Sequence, residues 1–174
     1  MDWRDLLTDA YGRIEQVIER SLKGLTEDDL KWQPKPDCNS IGWLVWHLTR
    51  VQDDHISSLM GEDQLWIKDG WYMKFNRPPD SKDRGFGDTP EQVAAFASDA
   101  QTLLDYHKVV SDRSKQYFKT LPDADLDREL NEPQYQPLPT VGVRIISILA
   151  DNLQHAGQAA YVRGQLQGLG WQQR

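Results

Sequence analysis

TVGVRIISILADNLQHAGQAAYVRG, residues 140–164, predicts one long helix with Thr140 as its N-cap and Gly164 near its end. Asp151 and His155 lie four residues apart within this segment. That spacing places a carboxylate and an imidazole on the same helix face, one turn apart. The two side chains can bind a single metal ion if a third ligand comes from another part of the chain.

The strongest candidate for the third ligand is His47, which lies in SIGWLVWHLTRVQDDH, residues 40–55. At about 100° per residue, His47 falls at the border of the apolar stripe of this helix, as Asp151 and His155 do on theirs. Polar residues at such borders can line a cleft between helices, where bundle proteins build metal sites. A structural explanation is also open, since histidines beside a core often serve as hydrogen-bonding residues and charged i, i+4 pairs are common on helix surfaces.

The apolar periodicity predicts four long helices and no convincing alternating strand. Two long connections, residues 61–89 and 122–139, allow some sequential helices to run parallel. We therefore predict an all-α fold, a four-helix bundle with residues 1–174 forming a single domain. The predicted helices cover residues 3–23, 41–60, 90–121 and 141–166.

The charge and cysteine content restrict the class of protein. The formal net charge is -7, and an acidic chain lacks the basic surface that a general nucleic-acid binder needs. Cys38 is the one cysteine, so no intramolecular disulfide can form. No apolar run reaches the length of a membrane span, and the first residues carry acids where a signal peptide would carry bases. We therefore expect a cytoplasmic protein with no nucleic-acid or membrane partner.

The connection 61–89 is rich in aromatic residues as well as glycine, proline and charge. Loops of this length are commonly functional or disordered, and the aromatic content favours an ordered cover over one end of the bundle. Trp46 lies roughly opposite the apolar stripe of the second helix. An indole ring there needs cover from this connection or from a partner subunit. We expect the partner subunit to provide this cover, and so expect a homodimer.

Taken together, SIGWLVWHLTRVQDDH and DNLQHAGQAAYVRG resemble the DinB-like four-helix bundle superfamily over essentially the whole chain. GWYMKF and GFGDTPEQVAAF in the middle of the chain are similar to the same group. In that family a histidine of the second helix and an H-x-x-x-H pair of the last helix bind one divalent metal. The matching positions are His47, Asp151 and His155. This chain has Asp151 where most members have the first histidine of the last-helix pair. The branch related to mycothiol-dependent maleylpyruvate isomerase and metal-dependent thiol S-transferases carries a carboxylate at that position, as this chain does.

The resemblance implies a metal-dependent transferase or isomerase that acts with a low-molecular-weight thiol on an electrophile. The ion would be zinc or nickel first, with manganese or iron also compatible with two histidines and a carboxylate. Asp54 is a candidate for orienting a ligand histidine. Trp71, Tyr72 and Arg77 of the aromatic connection are candidates for binding the thiol or its partner substrate. The sequence assigns no catalytic residue beyond the metal ligands.

Two other functions stay open: a non-catalytic metal-binding or stress-response bundle, and a purely structural dimer. The remaining histidines and the cysteine are weaker site candidates. His55 points about 80° away from His47 at the helical repeat, and His107 lies within the apolar stripe of the third helix. Cys38 has no nearby basic cluster to make it a reactive thiolate.

Overall fold

The computed structural model describes residues 1–171 and confirms the all-α prediction. Within that range there is no strand, only a bridge between Glu129 and Thr140. A 3-10 helix, Asp123–Asp127, lies in the last connection. The α-helices are α1 Trp3–Leu22, α2 Glu27–Lys31, α3 Ile41–Met60, α4 Leu65–Lys68, α5 Trp71–Lys74, α6 Pro90–Ala95, α7 Ala100–Thr120 and α8 Val141–Gln167.

Each long helix begins where a short polar side chain accepts a hydrogen bond from the backbone of the first turn. These caps are Asp2 for α1, Ser40 for α3, Asp99 for α7 and Thr140 for α8. Such residues satisfy N–H groups that have no partner within the helix. Helix α3 ends at Gly61, whose φ of 67° is the left-handed conformation that glycine adopts without strain.

The prediction of one helix over residues 90–121 is wrong, because the chain breaks between α6 and α7. Phe96 has an extended backbone, and the Asp99 side chain caps a new helix by accepting the backbone N–H of Thr102. The break turns the Phe96 ring onto Trp46, with 5.2 Å between centroids. Burial of this ring compensates for the lost helical hydrogen bonds. The apolar spacing continues across the break, so periodicity alone gives no sign of it.

The long helices form a ring in which α3 and α1 are diagonal and each packs between α7 and α8. Helix α3 runs antiparallel to α8, since His47 meets His155 while Gln52 meets Asn152 one turn further along. This antiparallel pair of helices carries the predicted metal ligands.

Helices α3 and α7 are adjacent and parallel, because Thr49 contacts His107 and Gln52 contacts Ser114. The connection between them must therefore return along the length of the bundle. It does so as residues 61–99, which contain α4, α5 and α6. The predicted connection 61–89 is thus partly helical.

Trp46 is fully buried within the chain, so the alternative of cover by a loop is the one seen. Its ring packs against Trp66 and Phe96, and the Arg77 guanidinium lies 4.4 Å from its centroid. The ring needs no partner subunit to leave water, and it gives no argument for a dimer. No helix in residues 1–171 is long and apolar enough to cross a membrane.

Candidate metal centre

His47, Asp151 and His155 come together at the contact of α3 with α8. One ligand atom from each lies within 4.8 Å of the others. Within residues 1–171 no second group of three histidine, cysteine or carboxylate donors converges in this way. The donor set of two imidazoles and one carboxylate is the kind that leaves coordination positions open for water or substrate.

His47 is held by the connection that covers α3. Its Nδ1 donates a hydrogen bond to the backbone carbonyl of Arg84, and its ring stacks on Trp43 with 4.7 Å between centroids. The ring is 7% exposed, and burial lowers its pKa. The imidazole is therefore neutral, and its Nε2 has a free lone pair for a metal ion. The hydrogen bond from Nδ1 to a backbone carbonyl fixes the orientation of the ring, as is typical of metal-binding histidines.

The covering connection comes this close to Trp43 and Trp46 only because Gly85 lacks a side chain. Gly85 has a φ of 79°, and a Cβ there would lie 2.7 Å from Trp43 and 2.8 Å from Trp46. Since Arg84 precedes this glycine, the close approach sets the position of the carbonyl that holds His47.

His155 is oriented by a neighbour on its own helix. Its Nδ1 lies 2.7 Å from Gln158 Oε1 and donates to it, which leaves Nε2 facing Asp151 Oδ1 at 3.5 Å. Burial acts to lower the pKa of His155, but the hydrogen bonds to Asp151 and Gln158 outweigh it and the pKa is raised. Its ring lies edge-on to that of His47, with 4.8 Å between centroids.

Asp151 supplies the observation that tests whether a metal fits. Its Oδ2 is buried and has no hydrogen-bond partner in the described part of the chain. A buried carboxylate oxygen without a partner is costly, and proteins rarely leave one without a reason. Two imidazole Nε2 atoms and an unsatisfied carboxylate oxygen at one point fit a divalent cation.

Asp54 does not contact a ligand histidine directly. Its carboxylate accepts hydrogen bonds from the side chains of Gln64, at 2.6 Å, and Arg84, at 2.5 Å. Arg84 in turn provides the carbonyl that binds His47. Any influence of Asp54 on His47 therefore passes through Arg84. Arg50, one turn before Asp54 on α3, binds Asp53 instead.

A cavity of about 490 Å³ opens beside the ligands, within the usual range for small-molecule sites. It is lined by His47 and Asp151, by the apolar Val51, Phe86 and Ile148, and by polar residues from four segments of the chain. These polar residues are His55, Arg84, Glu132, Gln134, Tyr135, Arg144 and Ser147.

The predicted substrate residues Trp71, Tyr72 and Arg77 do not line this cavity. Trp71 packs against Tyr106 in the core, with 5.1 Å between centroids, and Tyr72 packs against that core from its edge. Arg77 forms an ion pair with Asp83. The buried rings of the connection therefore form a second core layer on α3 and α7, whereas the exposed Phe86 of the same connection lines the cavity.

Sequence reasoning missed most of the cavity wall. His55, set aside for its angle to His47, lines the same cavity because the cavity extends over two turns of α3. Arg144 did carry a signal, since it lies seven residues, or about two turns, before Asp151 on the same face of α8. His107 lies in the core, where its Nδ1 is 3.1 Å from the Thr49 hydroxyl. Cys38 is a half-buried free thiol that does not line this cavity.

Comparisons with known proteins agree with this architecture. The family model of the DinB superfamily matches residues 10–159. The crystal structure of a conserved protein from Enterococcus faecalis superposes with a TM-score of 0.86 at 29% identity, covering 94% of this chain and 96% of that one. No curated protein matches the chain. The matched range includes the three converging ligands and extends over most of the bundle, and on this basis the chain belongs to the DinB superfamily.

Proposed function

We propose that the chain binds one divalent metal ion through His47, Asp151 and His155 and catalyses a transferase or isomerase reaction with a low-molecular-weight thiol. The observation that carries the metal site is the convergence of these donors while both histidine Nδ1 atoms are already engaged. Each ring thus offers Nε2, and the buried Asp151 Oδ2 still lacks a partner among the described residues. The resemblance to metal-dependent thiol S-transferases and isomerases supports the choice of reaction.

The ligand charges favour a thiolate. Two neutral imidazoles and one carboxylate would leave a bound divalent ion with a net charge of about +1, which a thiolate neutralises and water does not. When bound, the ion would lower the pKa of a coordinated thiol and so supply a nucleophile at neutral pH. Trp43 and the Arg84 carbonyl hold His47 in place, and Gln158 does the same for His155.

The cavity provides the space that a reaction requires. It begins at His47 and Asp151 and is large enough for a small thiol or electrophile beside them. A bundle that only stored a metal ion would need no such space, so the cavity favours catalysis over the non-catalytic alternative. Zinc or nickel suits the imidazole donors, and manganese or iron is chemically compatible. As part of this proposal we place the protein in the cytoplasm, where thiols stay reduced.

Metal content is the first test. The purified protein should contain about one equivalent of divalent metal by elemental analysis, and His155→Ala should lose most of it. Gln154→Ala is the matched control, since Gln154 is an exposed neighbour on the same helix. Both variants should remain folded, because the apolar core stabilises the bundle. Equal metal loss in both variants, or none in the wild type, would contradict the proposed site.

Thiol binding is the second test. Cobalt-substituted protein should develop a sulfur-to-metal charge-transfer band on titration with small thiols. Thiol-dependent turnover would then be sought with a panel of electrophiles. A metal-loaded protein that shows no such band with any thiol would instead support the non-catalytic metal-binding bundle.

A further inference from the structure

Arg84 and Arg144 line the cavity next to the metal ligands, and each carries unused hydrogen-bond donors. Arg84 binds Asp54 through Nη1 at 2.5 Å, and Arg144 binds Glu132 through Nη2. The Nε of each guanidinium is buried and has no partner within residues 1–171. A guanidinium has five N–H donors in a planar fork that suits a carboxylate.

The surroundings of Arg144 hold its guanidinium at the cavity wall. Its side chain is 11% exposed, and the Tyr135 ring lies 6.0 Å from its guanidinium carbon. The loop that carries Glu132 and Tyr135 is closed by backbone hydrogen bonds from Leu130 to Pro139 and from Val141 to Arg128. The arginine is therefore part of a built wall. Its Nε is shielded from the cavity, whereas Nη1 is not buried and forms no hydrogen bond within residues 1–171, so Nη1 is the donor that a ligand in the cavity can reach.

Once a divalent ion is bound, the charges of the cavity would also favour an anion. Asp54 and Glu132 each neutralise one arginine, and the remaining Asp151 would only partly offset a divalent ion. The balance at the proposed metal centre is then about +1. An anionic group that reached the guanidinium groups would gain charge-assisted hydrogen bonds, which are about twice as strong as neutral ones.

The separation of Arg144 from Asp151 sets the length of a ligand that could contact both the arginine and the metal centre. Arg144 and Asp151 are seven residues apart on α8, which is about 10 Å along the helix axis. Ile148 lies between the two, and Val51 of α3 also contributes an apolar surface to the cavity. A short aliphatic chain with a sulfur at one end and a carboxylate at the other matches this order of surfaces.

From this arrangement we propose that Arg84 and Arg144 form a carboxylate-binding subsite, so that a reactant processed at His47, Asp151 and His155 carries a carboxylate. The inference rests on the proposed function for its reaction and for the positive charge of the bound ion, whereas the guanidinium donors of the subsite belong to the cavity itself. The carboxylate can belong to the thiol or to the electrophile.

The first experiment compares 6-mercaptohexanoate with 6-mercaptohexanol on cobalt-substituted protein through the charge-transfer band. If the thiol carries the carboxylate, the acid should bind about 10- to 100-fold more tightly, the range expected for hydrogen bonds to a charged group. Arg144→Gln combined with Glu132→Gln, which leaves no unpaired charge, should remove that preference and leave the alcohol unaffected. Arg13→Gln is the control, since Arg13 is exposed and pairs only with Asp9 on α1.

The second experiment titrates adipate, a dicarboxylate without sulfur, into metal-free protein and into cobalt protein saturated with 2-mercaptoethanol, followed by calorimetry. Adipate binding to both forms that is lost in the Arg144→Gln, Glu132→Gln variant supports the subsite. If the acid preference in the thiol series is absent at the same time, the carboxylate belongs to the electrophile. Arg84→Gln with Asp54→Asn keeps the carbonyl that holds His47 and provides an independent check.

The outcomes separate the two proposals. Arginine-dependent adipate binding without any thiolate band would overturn the thiol reaction and leave the carboxylate subsite standing. No preference for the mercapto acid, together with no arginine-dependent adipate binding, would overturn the subsite even if thiols bind cobalt.

Discussion

Two carboxylates, the buried Asp53 of α3 and the half-buried Asp151 of α8, differ in how completely they are bonded. Asp53 of α3 is 1% exposed and accepts the backbone N–H groups of Leu65 and Trp66, the Tyr106 hydroxyl and an N–H of Arg50. Its oxygens hold the covering connection to the helix. This closed network has an architectural role.

Asp151 of α8 is bonded much less completely. Its Oδ1 lies 3.5 Å from His155, and its buried Oδ2 has no partner among residues 1–171. The contrast teaches that burial alone does not mark a functional carboxylate. Unused hydrogen-bonding capacity beside a cavity does, because such a group still has an interaction to make with a ligand.

The largest expected effect comes from breaking the closed network. Asp53→Ala should lower the free energy of unfolding by about 3–5 kcal/mol, because Arg50 is then left as a buried charge without its partner. Urea unfolding of the metal-free protein measures this. Asp112→Ala, at an exposed ion pair on α7, is the control and should change stability by less than about 1 kcal/mol. Similar losses in both variants would show that the Asp53 network has no special structural weight.

His107 extends the comparison to a buried side chain that has an unpaired atom but belongs to no group of converging metal-ligating side chains in the described residues. Its Nε2 is buried without a partner in the described residues, and burial lowers its pKa from 6.5 to about 4. The unfolded chain therefore binds a proton first as the pH falls. The contribution of neutral His107 to the free energy of unfolding is fully present above pH 6.5 and is lost as the pH falls from 6.5 toward 4. The loss amounts to about 3 kcal/mol at pH 4.

Urea unfolding of the wild type and His107→Asn at several pH values tests this linkage. The asparagine can keep a hydrogen bond to Thr49 and does not titrate. The difference in stability between the two proteins should shrink or reverse as the pH falls, while the carboxylates contribute equally to both. Parallel pH profiles would contradict a depressed pKa for His107.

Gly85→Ala tests whether the covering connection supports the metal centre by holding His47 in place. The added Cβ collides with Trp43 and Trp46, so Arg84 must shift and His47 loses its hydrogen-bond acceptor. Metal affinity should fall about 10- to 100-fold, as for other partners of ligand histidines. Competition with a chromophoric chelator measures the affinity.

Gly87→Ala is the matched control for this substitution. Gly87 also has a positive φ, of 86°, but nothing lies within 4 Å of its added Cβ. It carries the same backbone strain without the collision. If both variants lose metal affinity equally, strain in the connection and not the position of Arg84 is responsible.

We expect the smallest effect on stability from a substitution of Asp151, the incompletely bonded carboxylate. Asp151→Asn should change the free energy of unfolding of metal-free protein by less than about 1 kcal/mol, or raise it, because the charge that is removed is half-buried and poorly paired. The same variant should retain less metal. Urea unfolding of metal-free Asp151→Asn against the wild type tests the first expectation, and a loss of several kcal/mol would mean that Asp151 is structural after all.

The bundle and the converging ligands could be anticipated because they depend on local spacing. Thr140 and Ser40 begin helices at the predicted residues, and the four-residue step from Asp151 to His155 fixes their common face. The position of His47 at the border of its apolar stripe made it the candidate third ligand, and the family resemblance favoured its meeting with the other two, since spacing alone does not join two distant helices.

The parts that could not be predicted depend on tertiary contacts. Phe96 leaves the helix to reach Trp46, and the aromatic residues assigned to substrate instead fill a second core layer. Arg84 reaches the cavity only through the path of its loop over Gly85. Composition shows that such a loop is ordered, but it does not show which of its side chains face the ligands.

The two helices that hold the ligands are brought together from far apart in sequence, as the contact of Gln52 with Asn152 across 100 residues shows. An ion bound to both helices would act as a cross-link between distant segments of the chain. By mass action, each tenfold rise in free metal above the dissociation constant would add about 1.4 kcal/mol to the folded state. The thermal stability of the whole bundle would then report the free metal concentration around it, without any change in the apolar core.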